Sequence, residues 1–143
     1  MKKKILIVVA DYYENISTGL IKSAINEIQN SFHIKTIHVP GVFEIPVTIS
    51  KNINKFNGFI ALGCIIKGKT PHFEFISRTT LNAIMNLSIK YNKPIGNGII
   101  TSLNKKQALE RANRGKKNKG VEAVVAALTV LNIFNKNIKQ DTK

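Results

Sequence analysis

Gly58-Phe59-Ile60-Ala61-Leu62-Gly63-Cys64-Ile65-Ile66, followed at once by Lys67-Gly68-Lys69-Thr70-Pro71-His72, is the stretch on which the reading of this chain turns. The first nine residues carry no charge and are rich in apolar side chains, so they read as a buried strand of a parallel sheet. The next six hold a glycine, two lysines, a threonine and a histidine. After them Phe73, Ile76, Leu81, Ile84 and Leu87 recur on or near one helical stripe, predicting a helix over Phe73–Tyr91. Glycine lets backbone N–H groups approach a ligand closely, and Lys and Thr suit an anion. Imidazole moves a proton near neutral pH. The loop therefore predicts a phosphate cradle with an acid/base group, His72, where the chain turns into the helix.

The same residues fit the P-loop spacing G-x-x-x-x-G-K-[ST] from Gly63 to Thr70. The filling argues against that reading. A P-loop needs a flexible turn between its glycines, whereas Cys64, Ile65 and Ile66 prefer to continue a strand. Pro71 also removes a backbone N–H from the first helical turn. No G-x-G-x-x-G follows the first strand, and no serine stands in a nucleophile-elbow pattern.

Outward from this centre the chain alternates. Lys4–Ala10 is an Ile/Leu/Val run that predicts a buried parallel strand, and Asp11–Asn15 is the loop after it. Ile16, Leu20, Ile21, Ala24, Ile25 and Ile28 predict an amphipathic helix over Ile16–Gln29. His33–Val39 is a shorter, more polar strand, ended by Pro40-Gly41. Pro46 suits the first turn of a helix covering about Phe43–Asn54. Downstream come a strand at Ile95–Thr101, a helix at Asn104–Asn113, a charged turn at Lys116–Gly120, a helix at Val121–Phe134 and a frayed tail at Ile138–Lys143. The last helix is apolar on more than one face, and the surplus points to a subunit contact. The expectation is one α/β domain over residues 1–143, a four-stranded parallel sheet flanked by helices. Such folds bind ligands at the carboxyl ends of their strands, where Tyr12-Tyr13, Gly41–Glu44, Lys67–His72 and Asn97–Thr101 fall.

The 143 residues suffice for a sizeable core, and a hydrophobic content of 43% argues against disorder. No apolar run is long enough to span a bilayer, so no membrane partner is expected. Lys2-Lys3-Lys4 resembles a signal-peptide start, but Ile5–Ala10 is too short for its hydrophobic region and Asp11 closes it. The lone Cys64 forms no internal disulfide, so a cytoplasmic location is expected. A net charge of +14 and a pI of about 10.1 invite a nucleic-acid hypothesis. The cations are spread along the chain without interleaved aromatics, so a solvated basic surface that attracts anionic substrates is the better reading. Three scattered histidines and one cysteine lack metal-ligand spacing, and no metal is expected.

Single residues admit two readings each. His33 and His38, in a short strand, read as ordinary. Tyr12 is a packed rim aromatic or a platform for a flat ring. Glu44 is a helix-start acid or a hydroxyl acceptor. Arg111 and Lys119 are exposed helix-end charges or bind an anion across an interface.

Five segments in order carry a resemblance. Val39-Pro40-Gly41-Val42-Phe43-Glu44-Ile45-Pro46 resembles the V-P-G-[small]-[aromatic/Leu]-E-I-P segment of the 6,7-dimethyl-8-ribityllumazine synthase family. Ala61–Glu74 is similar to its A-L-G-x-[VL]-I-R-G-x-T-x-H-F-[DE] segment, and Gly96–Thr101, Gln107–Ala112 and Asn118–Ala123 resemble its later blocks. The resemblance implies a flavodoxin-like three-layer sandwich and a transferase of riboflavin biosynthesis. It would condense 5-amino-6-(D-ribitylamino)uracil with 3,4-dihydroxy-2-butanone 4-phosphate, using small-molecule substrates and no metal or organic cofactor. It further implies a homo-oligomer, a pentamer or a shell of twelve pentamers, with each site shared by two neighbours. The start of the chain almost directly at the first strand favours the free pentamer.

By position, the resemblance implies that Tyr12 stacks on the pyrimidine ring and that Val42, Phe43 and Glu44 line the ribityl side, with Glu44 accepting from hydroxyls. Gly68, Lys69 and Thr70 would hold the phosphate, and His72 would shuttle the proton. Ile65, Ile66 and Asn97 complete the substrate-facing set. Arg111 of a neighbour would clamp the phosphate, Lys119 would help hold the heterocycle, and Glu122 would orient His72. Lys67 stands where Arg is usual, losing the planar fork. Lys69 stands where Glu or Ala is usual, and Tyr13 and Asn97 where Asn and Phe are often found.

Overall fold

The computed structural model describes residues 2–113 and 118–136. Its sheet has four strands, β1 (Lys4–Ala10), β2 (His33–Val39), β3 (Gly58–Ile66) and β4 (Ile95–Ser102). All pair in parallel, in the order β2-β1-β3-β4. The helices are α1 (Glu14–Ile28), α2 (Ile45–Lys51), α3 (His72–Tyr91), α4 (Lys105–Ala112) and α5 (Lys119–Asn135). The two central strands are the continuous apolar runs, because helices cover both their faces. β2 lies at an edge and tolerates the polar residues of His33–Val39.

The two-residue period of the strands sorts their side chains between two cores. Ile5, Ile7, Val9, Ile60 and Leu62 pack on one face with Ile16 and Leu20 of α1, Ala108 of α4, and Val124 and Ala127 of α5. Leu6, Val8, Phe59, Ala61 and Ile65 pack on the other with Ile45 and Ile49 of α2 and Ile84 of α3. The result is the expected three-layer α/β sandwich. α5 lies very close to β4, since a Cβ placed on Gly96 would run into the Ala123 carbonyl.

Three expected element boundaries are corrected. The loop expected at Asp11–Asn15 ends at Tyr13, since α1 begins at Glu14 and not at Ile16. The helix expected over about Phe43–Asn54 is a 3-10 turn at Val42–Glu44 followed by the shorter α2. It stops because the Asn52 side chain donates back to the Thr48 carbonyl (2.8 Å), and the next N–H groups bond three residues back, as Ile53 does to Ser50. The charged turn expected at Lys116–Gly120 ends earlier. Asn118 caps α5, so Lys119 and Gly120 are already helical, while 116 and 117 lie outside the described residues. The tail expected at 138–143 also lies outside them.

Candidate functional site

The chain leaves β1 for β2 on one side and passes from β3 to β4 on the other. The crevice outside the carboxyl ends of β1 and β3 is thus a topological switch point, where open α/β sheets bind ligands. A cavity of about 350 Å³ opens there. Tyr12 and Tyr13 follow β1 and form one wall; Gly41, Val42 and Phe43 follow β2 and form the next. Cys64, Ile65 and Ile66 are its floor, and Gly68, Thr70 and His72 close the side toward Phe73 and Ile76 of α3.

Each wall has a local cause. Ser17, buried in α1, donates its hydroxyl to the Ala10 carbonyl (2.6 Å) and sits 3.0 Å from that of Tyr13, fixing the turn after β1. The Tyr12 ring stands 76% exposed, edge-on to Tyr13 with centroids 4.9 Å apart. Its face is free for another ring. After β2, the Glu44 N–H donates to the Gly41 carbonyl (3.2 Å) and the Gly41 N–H donates to Glu44 Oε1 (2.9 Å). This reciprocal pair holds Val42 inward and leaves Phe43 exposed. One Glu44 oxygen is therefore committed to the turn, as befits a helix-start acid, and Glu44 itself does not line the cavity.

β3 carries the floor further than a P-loop allows. Gly63 pairs with Ile99 and Ile66 with Ser102 in the ladder, and the Lys67 N–H still donates to the Ser102 carbonyl (2.9 Å). Three of the four residues between the two glycines, Cys64, Ile65 and Ile66, are strand, not loop. Beyond them the chain turns outward: nothing lies within 4 Å of where a Gly68 Cβ would stand, so the fold itself leaves that backbone open. Thr70 Oγ1 accepts a long bond from the His72 N–H (3.4 Å), and His72 opens α3, whose positive end faces the loop. Burial pushes the Cys64 thiol up to about 11, so at neutral pH it stays protonated and is a poor nucleophile. Burial, with smaller contributions from Cys64 and Tyr12, also raises the Tyr13 phenol and keeps it neutral.

The cavity thus brings together Tyr12, Val42, Phe43, Ile65, Ile66, Gly68, Thr70 and His72. Lys69 is exposed beside it without lining it. Asn97, Arg111, Lys119 and Glu122 lie elsewhere. Asn97 is on the edge strand opposite Ala61, its Oδ1 accepting from the Ile99 N–H (3.0 Å). Arg111 is exposed in the last turn of α4. Lys119 Nζ pairs with Glu122 Oε1 (3.1 Å) in the first turn of α5, so within one chain Glu122 partners Lys119. Among the described residues no group of three His, Cys, Asp or Glu side chains could hold a metal ion, and no helix is long and apolar enough to cross a membrane.

Sequence reasoning placed Tyr13 on the rim with Tyr12, but missed Cys64, Phe73 and Ile76 as lining residues. It also missed Asn118, which is 1% exposed. Its amide sits 3.0 Å from Ser23 Oγ, 3.0 Å from the Ala112 carbonyl and 2.7 Å from the Asn113 carbonyl, while its Oδ1 accepts from the Val121 N–H (3.1 Å). Asn118 therefore locks the end of α4 and the start of α5 onto α1, fixing where Arg111 and Lys119 stand. An Asn immediately before a helical run is the signal that marks such a cap.

A family model described as 6,7-dimethyl-8-ribityllumazine synthase matches residues 2–135. Curated relatives carry that same description. One from Bartonella tribocorum is 43% identical over 137 residues, covering 92% of this chain and 91% of its own. One from Buchnera aphidicola is 42% identical over 141 residues, covering 94% and 89%. One from Zymomonas mobilis is 39% identical over 136 residues, covering 93% and 97%.

Proposed function

The chain belongs to the 6,7-dimethyl-8-ribityllumazine synthase family, enzymes of riboflavin biosynthesis, and we propose that the cavity outside β1, β2 and β3 is its half of a shared active site. The reaction joins 5-amino-6-(D-ribitylamino)uracil to 3,4-dihydroxy-2-butanone 4-phosphate, forming 6,7-dimethyl-8-ribityllumazine with loss of phosphate and water. The observation that carries the site assignment is the meeting, at one switch point, of an exposed aromatic face, an open glycine loop and an imidazole.

In this reading the pyrimidine ring lies on Tyr12, with its ribityl chain along Val42 and Phe43 and its hydroxyls on the free Glu44 oxygen. The ring's 5-amino group attacks the butanone carbonyl and an imine forms with loss of water. Elimination of phosphate then needs a proton taken from carbon and negative charge held on the leaving group. His72 takes the proton; the Gly68 and Thr70 backbone, the Thr70 hydroxyl and nearby Lys69 hold the phosphate. Loss of phosphate leaves an enol at the carbon that carried the 3-hydroxyl; it tautomerises to a new carbonyl, and the ribitylamino nitrogen closes the second ring there with loss of a second water. Electrons balance between the two substrates, so the proposal includes no cofactor. Holding both substrates in register supplies much of the acceleration.

The other half of the site comes from a second copy. Arg111, the residue best suited to fork onto a phosphate, is exposed and away from the cavity of its own chain. α5 keeps Val125, Ile133 and Phe134 exposed, and α3 keeps Phe75, Met85 and Ile89 exposed, more apolar surface than a solitary chain needs. A cytoplasmic homo-oligomer of single-domain subunits, with the pentamer favoured over the larger shell, supplies Asn97, Arg111, Lys119 and Glu122 across the contact. Purified protein mixed with the two substrates, without added metal or nucleotide, should produce lumazine fluorescence faster than a no-enzyme blank. Folded protein that fails to exceed the blank would overturn the reading.

A further inference from the structure

Where β1 and β2 leave the sheet, one side-chain contact ties them together. Val9 lies beside His38 and Ala10 beside Val39 in the ladder, and the Asp11 N–H adds a final bond to the Val39 carbonyl (2.9 Å). The Asp11 carboxylate reaches across to His38, whose Nδ1 stands 2.9 Å from Oδ2 and 3.0 Å from Oδ1. With its hydrogen on Nδ1 the imidazole donates to the carboxylate whether the ring is neutral or charged. Each partner leads into a wall of the cavity: Tyr12 and Tyr13 come directly after Asp11, and Gly41 to Phe43 begin two residues beyond Val39.

We propose that Asp11 and His38 form a clasp that sets the spacing of these two walls, making both of them positioning residues for the heterocyclic substrate. The proposal rests on Tyr12 being the ring's stacking partner. Tyr12 is mostly exposed, and its one aromatic contact is the edge of Tyr13. The ring therefore stands where its backbone puts it. That backbone is held downstream by Ser17 and upstream by one ladder bond and the clasp. A shift well under an ångström at this point moves the stacked ring relative to the groups that act on it, and such displacements are costly in a two-substrate condensation. The fold does not lean on the clasp. Both side chains are partly exposed, 54% for His38 and 37% for Asp11, whereas the two cores are buried elsewhere.

The test is a double-mutant cycle of Asp11→Ala, His38→Ala and the double variant, with Asp11→Asn as the conservative replacement. Binding of 5-amino-6-(D-ribitylamino)uracil alone is measured by calorimetry, KM for each substrate by lumazine formation, and folding by thermal melting. Each single variant should weaken uracil binding about fivefold, the scale of a partly exposed ion pair. KM for the phosphorylated butanone should not move, and the melting temperature should fall by no more than about 4 °C. The double variant should be no worse than either single one, and Asp11→Asn should bind within about twofold of the parent, since its amide oxygen still accepts from Nδ1. Unchanged uracil binding in both single variants, equal losses for both substrates, or additive losses in the double variant overturn the clasp. A parent protein that binds the uracil but forms no lumazine overturns the assigned reaction alone, and the binding cycle still decides the clasp. A parent that does not bind the uracil overturns both.

Discussion

Replacing Tyr12 with alanine separates binding from stability more cleanly than any other change at the cavity. The ring is 76% exposed and its contact with Tyr13 is edge-on at 4.9 Å, so its removal should cost no more than about 0.5 kcal/mol of folding stability, the range of exposed positions. Stacking of an aromatic side chain on a base contributes about 1–3 kcal/mol, which corresponds to roughly 5- to 150-fold in affinity. Tyr12→Ala should therefore raise KM for the uracil substrate by that factor, with the melting temperature nearly unchanged. Tyr12→Phe keeps the ring face and should stay within about twofold of the parent. Initial rates of lumazine formation at limiting uracil, with the butanone phosphate saturating, read the effect, and a melting curve on the same sample controls for folding. A KM for Tyr12→Ala equal to that of the parent would refute stacking. A loss in Tyr12→Phe as large as in Tyr12→Ala would move the role from the ring face to the hydroxyl.

The remaining predictions concern the frame around the cavity. A Cβ on Gly63 would stand 2.7 Å from Val42 Cγ1 and 3.2 Å from Ala10 Cβ, so Gly63→Ala should destabilise by about 1–3 kcal/mol and displace the Val42 wall; an unaltered melting temperature with parental uracil binding would contradict this. Asn118→Ala removes a buried helix cap and strips a partner from the Ala112 and Asn113 carbonyls, at about 2–4 kcal/mol in urea denaturation; a loss below about 0.5 kcal/mol would show the cap to be dispensable. Cys64 is raised from 9.0 to about 11 on folding, so the native thiol holds its proton where the unfolded one has lost it. Its contribution is intact below pH 9.0 and is lost as pH rises toward 11, about 3 kcal/mol in all. Cys64→Val should show a shallower fall in the urea midpoint between about pH 8 and about pH 10.5 than the parent; equal slopes would contradict the burial effect.

The strands were legible because each apolar run is closed by residues that cannot continue it. β1 ends at Asp11, β2 at Pro40-Gly41, and β3 passes into Lys67-Gly68, and all three strands have the bounds read from sequence. α2 was overrun because Asn52 and Asn54 do not interrupt the apolar rhythm of Ile49 and Ile53, although the Asn52 side chain bonds the backbone and ends the helix. The cavity was legible where composition is unusual, at Tyr12, Gly68, Thr70 and His72. It was not legible at Cys64, Phe73 and Ile76, whose inward direction depends on register and helix phase rather than on residue type. His38 read as an ordinary strand histidine because its partner, Asp11, is 27 residues away. Arg111 and Lys119 were legible as charges, but in the proposed shared site their use depends on a neighbouring subunit.

In the proposed assembly a working site takes His72 from one subunit and Arg111 from the next. His72→Ala and Arg111→Ala proteins, each alone, should lose most of their activity, as removal of a general base or a charge clamp typically does. Unfolded together in equal amounts and refolded, they should form mixed oligomers in which about one quarter of the sites combine an intact His72 with an intact Arg111 from the adjoining copy. Lumazine formation should then rise to about that fraction of the parent rate, well above the mean of the two variants refolded separately. A mixture no more active than that mean, with mixed oligomers present, would place both residues within one chain's own site and contradict the shared one.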